Sequence, residues 1–127
     1  MTGTVTPDEI DHAFRVLGAR ERRRILRYLQ VHEGSSVAEL ADVLSGWRSV
    51  DRGEMTGPAD RVGIETALRH VHFPKLADAG LITHDPAAGT VSATELPEWV
   101  GELLDVSFEA TDEATTDETV TESRSRY

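Results

Sequence analysis

The sequence predicts a mainly α fold with a small β-hairpin. Apolar residues recur every three or four positions through much of residues 6–73, and capping residues precede several of these stretches. After Leu81 the pattern changes to short segments rich in β-branched residues. The chain has 127 residues, 39% of them apolar, which is enough for one domain with one modest core. We expect this domain to span residues 6–110.

The first helix has a well-marked start. Thr6 can cap it, Pro7 suits the first helical position, and Glu9 completes a capping box. Gly18 should end it. Its predicted core face consists of apolar residues at helical spacing: Ile10, Ala13, Phe14 and Leu17.

A second helix is predicted from about Arg20 to Val31, with Gly34 as the stop signal. Its expected buried stripe is Ile25, Tyr28, Leu29 and His32. Ser36 then caps a third, short helix, "VAELADVLSGW". The core face of that helix is predicted to be Val37, Leu40, Ala41 and Leu44.

Residues 46–60 are rich in glycine, proline and polar groups, and we interpret them as a loop. A fourth helix should start near Pro58 or Asp60. Its predicted core face is Ile64, Ala67, Leu68 and Val71, with Phe73 on the opposite side. Pro74 is expected to kink the chain, since it has no N–H to bond back to His70.

The segments "LITHD" and "TVSAT", joined by "PAAG", predict a hairpin, and Gly80 should take the left-handed cap before it. Pro97 opens a last amphipathic helix. Residues 111–127 are acidic, with few core formers, and we expect a disordered tail. Three helices, a hairpin and a flanking helix at each end describe a winged helix-turn-helix with flanking N- and C-terminal helices.

Three stretches carry a resemblance to a known family: "RRRILRYL" at 22–29, "SVAELADVL" at 36–44 and "KLADAGLI" at 75–82. In this order they resemble winged-helix repressors of the arsenic-repressor type (ArsR-like). The phrase "HVHFPKLADAGLITHD" is also similar to small haloarchaeal winged-helix domains. The resemblance covers about residues 14–96 and implies a transcription regulator that is dimeric.

Two features depart from that family. A compact helix-turn-helix joins its helices by three or four residues, whereas a loop at 46–60 would be about fifteen residues long. The wing of these repressors commonly carries a basic residue, but "THDPAAGTVSAT" contains neither lysine nor arginine. Contacts from the wing to DNA phosphate are therefore in doubt.

The fourth helix is the candidate reading helix for the DNA major groove, near residues 60–73. Its side opposite the core holds Thr66 and Arg69 with His70 at the margin, and Arg61 lies near its start. Arginine can bind guanine through two hydrogen bonds, while threonine and histidine reach phosphates or base edges. The alternative is an ordinary solvated helix face.

The arginines of the second helix have two interpretations. Arg23, Arg24 and Arg27 point outward, and they could hold DNA phosphates or pair with acids such as Glu21 and Asp42. Because cations in the first turns oppose the helix dipole, pairing would relieve a cost. We favour the structural interpretation.

The histidines raise the question of a metal site. His70 and His72 are two positions apart and point to opposite sides of a helix, whereas metal-binding helices space histidines by four. A bend at Pro74 could bring His72 towards His84 or Asp85 on the wing. We favour a packing role for His72, with no metal and no cofactor.

No catalytic residues stand out. The sequence contains no nucleophile elbow, phosphate loop or paired-carboxylate motif, so we do not expect an enzyme. The absence of cysteine excludes disulfides and thiolate chemistry. No secretory signal and no transmembrane run are visible, and the expected location is the cytoplasm, with no membrane partner.

The net charge of −10 is unevenly distributed. Residues 1–94 carry 13 acids and 11 Lys/Arg, while residues 95–127 carry 10 acids and two arginines. DNA binding by the nearly neutral first part therefore remains possible. One lysine against 12 arginines, with many acids, suggests a halophilic protein adapted to concentrated salt.

The last helix presents a broad apolar surface, and part of it is predicted to form a homodimer interface through Trp99, Val100, Leu103 and Leu104. The alternative is that the core of one protomer covers all of it. For the whole chain, the alternative to DNA binding is a winged-helix module that binds another protein, through residues 46–60 or the acidic tail.

Overall fold

The computed structural model describes residues 6–53 and 57–108. In chain order its elements are α1 (Pro7–Val16), α2 (Arg20–His32), β1 (Ser35–Ser36), α3 (Val37–Arg52), α4 (Pro58–Ala67), a π turn (Leu68–His72), α5 (Phe73–Asp78), β2 (Ile82–Asp85) and β3 (Thr90–Ala93). Residues 98–108 are also helical. The predicted fold class, mainly helical with a small hairpin, is confirmed.

Local hydrogen bonds start the helices where the sequence predicted. The Glu9 amide donates to the Thr6 hydroxyl at 3.1 Å, and the Thr6 amide donates to the Glu9 carboxylate at 2.9 Å. The Ser36 hydroxyl accepts from the Glu39 amide at 3.0 Å. These caps satisfy amides that have no partner inside the helix.

The buried faces of α1 and α2 are rotated from those predicted. Phe14 is 50% exposed and Val16 is buried in its place, because the stripe of α1 is centred on Ala13, Val16 and Leu17. In α2 Leu26 is fully buried together with Ile25 and Leu29, whereas Tyr28 is half-buried and His32 is exposed. Both predicted faces were too wide, because they included residues that lie far around the helix from the centre of the buried stripe.

The predicted loop at residues 46–60 was wrong. Helix α3 continues to Arg52, ends at Gly53 in the left-handed region (φ 73°), and α4 begins at Pro58. The predicted core face of α3 is confirmed, since Val37, Leu40, Ala41 and Leu44 are all buried. Only residues 53–57 separate the two helices, so the long insert does not exist.

The predicted kink at Pro74 is replaced by a π turn. The Phe73 amide bonds to the carbonyl of Leu68, five residues back. This wider turn lets the helix continue past Pro74, whose ring would otherwise clash with the carbonyl four residues before it. It also shifts the buried face: Phe73 is 1% exposed and Val71 is 42% exposed, the reverse of the prediction.

The sheet has three antiparallel strands in the order β1-β3-β2. The predicted hairpin is confirmed, with Ile82 opposite Ala93 and Asp85 opposite Thr90. Strand β1 was not predicted, and its two residues pair with Val91 and Thr90 of β3. Gly80, at φ 77°, is the left-handed residue that ends α5, as predicted.

The chain divides after Glu95 into two compact units. The first has one apolar core, to which every helix and the sheet contribute. Its buried residues are Ala13, Val16, Leu17, Ile25, Leu26, Leu29, Val37, Leu40, Ala41, Leu44, Ile64, Leu68, Phe73, Leu76, Leu81, Ile82 and Val91.

The second unit contains the helix of residues 98–108. Within it Val100 and Leu104 are buried and Val106 is 64% exposed. The predicted tail at residues 111–127 lies outside the described residues. A single domain over 6–110 stays a prediction.

Candidate nucleic-acid interface

Local hydrogen bonds mark the end of α3 and the start of α4, the candidate reading helix. The Gly53 amide donates to the carbonyl of Ser49 at 2.8 Å and closes α3. The Asp60 carboxylate accepts from the Gly57 amide at 3.1 Å and starts α4. Two helices joined by so few residues, followed by a hairpin, form the element order expected of a winged helix-turn-helix.

One face of α4 and the π turn is exposed, while Ile64 and Leu68 bury the opposite face. The structure brings Thr66, Arg69 and His70 together on this exposed face. Val62 lies there too, one turn before Thr66, and is 64% exposed. We call Val62, Thr66, Arg69 and His70 the reading face.

Val62 was not among the predicted site residues. Its position four residues before Thr66 would have placed it on the same side.

Arg69 makes a weak charged contact. Its Nη2 lies 3.4 Å from Oε1 of Glu65, one turn earlier, and its side chain is 43% exposed. An exposed pair of this kind contributes little to stability, so the guanidinium can leave it at low cost. Arg69 is thus able to turn to another acceptor.

The shortest contacts of Arg61 are with α3. Its Nη2 donates to the carbonyl of Ala38 at 3.0 Å, and its Nη1 lies 2.9 Å from Oδ1 of Asp42. Both of these partners belong to α3, and Nη2 also lies 3.7 Å from Oε2 of Glu65, the acid that Arg69 contacts. Arg61 therefore holds the start of α4 against α3, and its guanidinium is directed to that helix.

The wing has the opposite charge to a phosphate-binding hairpin. At its turn the Asp85 carboxylate accepts from the amides of Ala87 and Ala88, at 3.1 and 3.2 Å. The Gly89 carbonyl accepts from the Val37 amide, which joins the wing to the first residue of α3. No lysine or arginine occurs between Ile82 and Ala93.

The arginines of α2 are held within the chain. Arg22 and Arg23 donate to the carbonyls of Val16 and Leu17, at the end of α1. These contacts satisfy carbonyls that lack partners in α1 and complement the dipole at its C-terminus. These contacts agree with the interpretation that the arginines of α2 have a structural role.

Arg24 contacts the extension of α3. It binds Asp51 through two hydrogen bonds, at 2.8 and 3.2 Å, and lies 5.3 Å from the ring centre of Trp47. The hydrogen bonds from Arg24 hold the pKa of Asp51 below its ordinary value. The suggested partners Glu21 and Asp42 instead pair with Arg48 and Arg61.

His72 and His84 do not come together as the metal alternative required. His72 Nδ1 lies 3.4 Å from Arg22 Nη1, whereas the His84 ring packs against Phe73 with the ring centres 4.8 Å apart. Burial, and then the nearby charge of Arg22, lower the pKa of His72. Among residues 6–53 and 57–108, no three His, Asp or Glu side chains are placed to hold a metal ion.

The predicted dimer residues differ in accessibility. Val100 and Leu104 are fully buried, while Trp99 and Leu103 are partly exposed. Of these four residues, Trp99 and Leu103 are therefore the ones that could contact a second copy of the chain. The dimer interface stays a prediction. None of the described helices is both long and apolar enough to cross a membrane.

Comparison with known proteins gives a family without an assigned function. A family model described as a domain of unknown function (DUF7344) matches residues 14–92. No curated protein and no solved structure matches the chain. The matched range runs from α1 into β3 and includes the reading face, the π turn and most of the hairpin. Because the match covers more than half of its residues, the chain belongs to the DUF7344 family.

Proposed function

We propose that this protein is a cytoplasmic, non-enzymatic transcription regulator of winged-helix type that binds double-stranded DNA. The observation that carries the proposal is the reading face, an exposed row of side chains on a helix whose other side is locked into the core. Such a helix can enter the major groove without losing its packing. The resemblance to arsenic-repressor-type regulators supports the same function.

The chemistry of the reading face suits base edges. Arg69 supplies a guanidinium that can donate two hydrogen bonds to a guanine. Val62 offers methyl groups for apolar contact with a thymine methyl, while the hydroxyl of Thr66 and the ring of His70 can bond to base edges or phosphates. All four side chains lie within about two turns of one helix, so together they span a few base pairs.

Arg61 has a different role in this proposal from the one predicted. Its bonds to Ala38 and Asp42 set the angle between α3 and α4, so it positions the reading face. Arg61→Ala should therefore lower both DNA affinity and thermal stability, whereas Arg69→Ala should lower DNA affinity alone. This difference separates positioning from direct contact.

We further propose a homodimer, because regulators that bind paired half-sites usually have twofold symmetry. Trp99 and Leu103 are the predicted interface residues that keep accessible surface. Trp99→Ala and Leu103→Ala are expected to convert the dimer to a monomer in analytical ultracentrifugation.

The test of DNA binding uses the full chain and a duplex obtained by selection from random DNA. Arg69→Ala should weaken binding by about tenfold or more, the effect of one lost bidentate base contact. Arg27→Ala is the matched control, since it removes an arginine from α2 and should change affinity little. Equal affinities for wild type and Arg69→Ala would remove Arg69 from the reading face.

A second candidate is a protein-interaction module that does not bind DNA. The exposed side chain of Val50, 77% accessible on the extended part of α3, favours it, as does the acidic turn of the wing. This candidate predicts no enriched DNA sequence at any salt concentration. It also predicts that Val50→Asp abolishes binding of the protein partner while leaving the fold unchanged.

A further inference from the structure

A groove on the first compact unit collects positive charge from three helices. It is lined by His12, Arg15 and Val16 of α1, Arg22 of α2, and Pro74, Lys75 and Asp78 of α5, and its volume is about 460 Å³. Cavities of this size are typical of small-molecule sites. No predicted site residue belongs to it.

The cations of this groove have no acidic partners. The side chains of Arg15 and Lys75 make no hydrogen bond or ion pair within the described part of the chain. Arg22 bonds to the Val16 carbonyl and to Nδ1 of His72, neither of which neutralises its charge. In a chain of net charge −10, three unneutralised cations around one concavity leave a localised positive potential.

The single carboxylate on the groove does not cancel this potential. Asp78 is 80% exposed, and its Oδ2 lies 3.2 Å from Nε2 of His12, although without the geometry of a hydrogen bond. Since the other charged lining groups are Arg15, Arg22 and Lys75, the balance is positive. Val16 and Pro74 add apolar surface beside the cations.

The position of the groove distinguishes it from the reading face. His72 points from the π turn towards Arg22, while His70, two residues earlier, is on the exposed side. Residues two apart on a helix point in nearly opposite directions. The groove therefore lies behind the reading helix, on the side that a bound duplex would not occupy.

Arg22 is already fixed for binding. The bond from its Nε to the end of α1 and the bond from its Nη1 to His72 hold the guanidinium in place, and its Nη2 has no partner in the described chain. A preorganised guanidinium loses little conformational freedom when it binds an oxyanion.

We propose that this groove binds a small organic oxyanion, with a carboxylate or phosphate group held by Arg15, Arg22 and Lys75 and a short apolar part against Val16 and Pro74. This proposal does not rest on the proposed DNA binding, because none of the residues that line the groove belongs to the reading face. A failure of the proposed DNA binding would leave it untouched.

The test is a titration of the ¹⁵N-labelled full chain, followed by NMR at constant ionic strength. Phenyl phosphate and benzoate are the two anionic probes, and their relative affinities tell whether the site prefers phosphate or carboxylate. Phenol is the neutral control. Saturable shifts are expected in amides of α1, the start of α2 and α5 with either anion and not with phenol.

Variants of single charges locate the site. Lys75→Gln should weaken the binding of the preferred anion about fivefold, the effect of one partly exposed ion pair. Asp78→Asn should strengthen it, since it removes the only opposing charge. Arg52→Gln, at the end of α3, removes an exposed cation outside the groove and should leave the affinity unchanged.

Three results would overturn the proposal. They are linear shifts that never saturate, equal weakening by Lys75→Gln and Arg52→Gln, and loss of DNA affinity in Lys75→Gln with anion binding unaltered. The last result would make the groove a contact to the DNA backbone. In contrast, a protein that binds the anions but no DNA would refute only the function proposed above.

Discussion

Arg22 and His72, fifty positions apart in the chain, meet at 3.4 Å, where Nη1 of the guanidinium donates to Nδ1 of the imidazole. Because arginine keeps its proton at all relevant pH values, His72 can accept this bond only in its neutral form. The contact joins the start of α2 to the π turn. It therefore makes the packing of the reading helix sensitive to protonation.

We expect acid to destabilise the protein through His72. Burial and the charge of Arg22 lower its pKa in the folded state, so the unfolded chain binds the proton more readily. The stabilisation is fully present above the ordinary histidine pKa of about 6.5 and is lost as pH falls through the folded-state pKa. Urea unfolding measures this loss of unfolding free energy between pH 7.5 and 5. The His72→Asn variant should not show it.

His70→Asn is the matched control for that measurement, since His70 is exposed two residues away. Its stability profile should follow that of wild type. Parallel profiles for wild type and His72→Asn over the same pH range would show that the Arg22 contact does not couple protonation to folding.

Because of the π turn, substitutions of Val71 and Phe73 should have very different effects on stability. Phe73→Ala should cost about 3–5 kcal/mol of unfolding free energy, because it leaves a cavity in the core. Val71→Ala should cost less than about 1 kcal/mol, as for other exposed positions. Chemical denaturation measures both, and Phe73→Leu gives a smaller loss if the alanine variant does not fold.

A regular α-helix through residues 68–73 would place Val71 nearer the core and Phe73 away from it. The reverse order of the two costs, with Val71→Ala the more damaging, would therefore contradict the π turn directly.

The ion pair between Arg24 and Asp51 should stabilise the extended end of α3. Asp51→Asn is expected to cost about 1 kcal/mol at pH 7, near the upper end for partly exposed pairs, because the negative charge and one of the two hydrogen bonds are lost. The lowered pKa of Asp51 means that this stabilisation is present above about pH 4 and disappears as pH falls through the folded-state pKa.

Urea unfolding at pH 7 and pH 3 tests this pair. The difference in stability between wild type and Asp51→Asn should be smaller at the lower pH. Asp11→Asn, an exposed carboxylate of α1, should give no difference at either pH. If the difference in unfolding free energy between wild type and Asp51→Asn is the same at pH 3 as at pH 7, the ion pair does not stabilise α3.

The charge pattern predicts an unusual salt dependence of DNA binding. The wing has no cation, and Arg69 is the one arginine on the reading face. Each neutralised phosphate contributes about −0.9 to the slope of log affinity against log salt concentration. With one cation on the reading face, at most about one phosphate is neutralised per protomer, so the slope should be about −1 per protomer. A slope several times steeper would require a basic surface away from the reading face.

Features set by neighbouring residues were predictable from the sequence. The caps at Thr6 and Ser36 depend on hydrogen bonds across three positions, and Gly80 ends α5 through its own backbone conformation. The apolar face of α3 follows from helical spacing. In each case the interaction that determines the structure joins residues within one or two helical turns of each other.

Features set by distant residues were not predictable. Helix α3 was expected to stop early because residues 46–60 are rich in glycine, proline and polar groups. Contacts across 27 positions, from Arg48 to Glu21 and from Asp51 to Arg24, hold its last turns in place. A pattern search within one helix does not detect them.

The exposed side of α4 and the π turn was predicted in part. Thr66, Arg69 and His70 were predicted correctly as exposed residues of one helix, but the roles of Val71 and Phe73 were exchanged. A fixed rotation of 100° per residue does not include the extra residue of a π turn, so Val71 and Phe73, near the end of that turn, were assigned to the wrong faces. The contacts of Arg61 with α3 were not predicted, because Ala38 and Asp42 are 19 or more positions away.

The central claim is that the reading face recognises a DNA sequence, and selection of duplexes from random DNA at molar potassium chloride tests it most directly. High salt suppresses binding that depends only on phosphate contacts, so enriched sequences must be recognised through bases or DNA shape. Enrichment of one sequence by wild type, and its loss with Arg69→Ala, is the predicted result. No enrichment at either low or molar salt would contradict the claim.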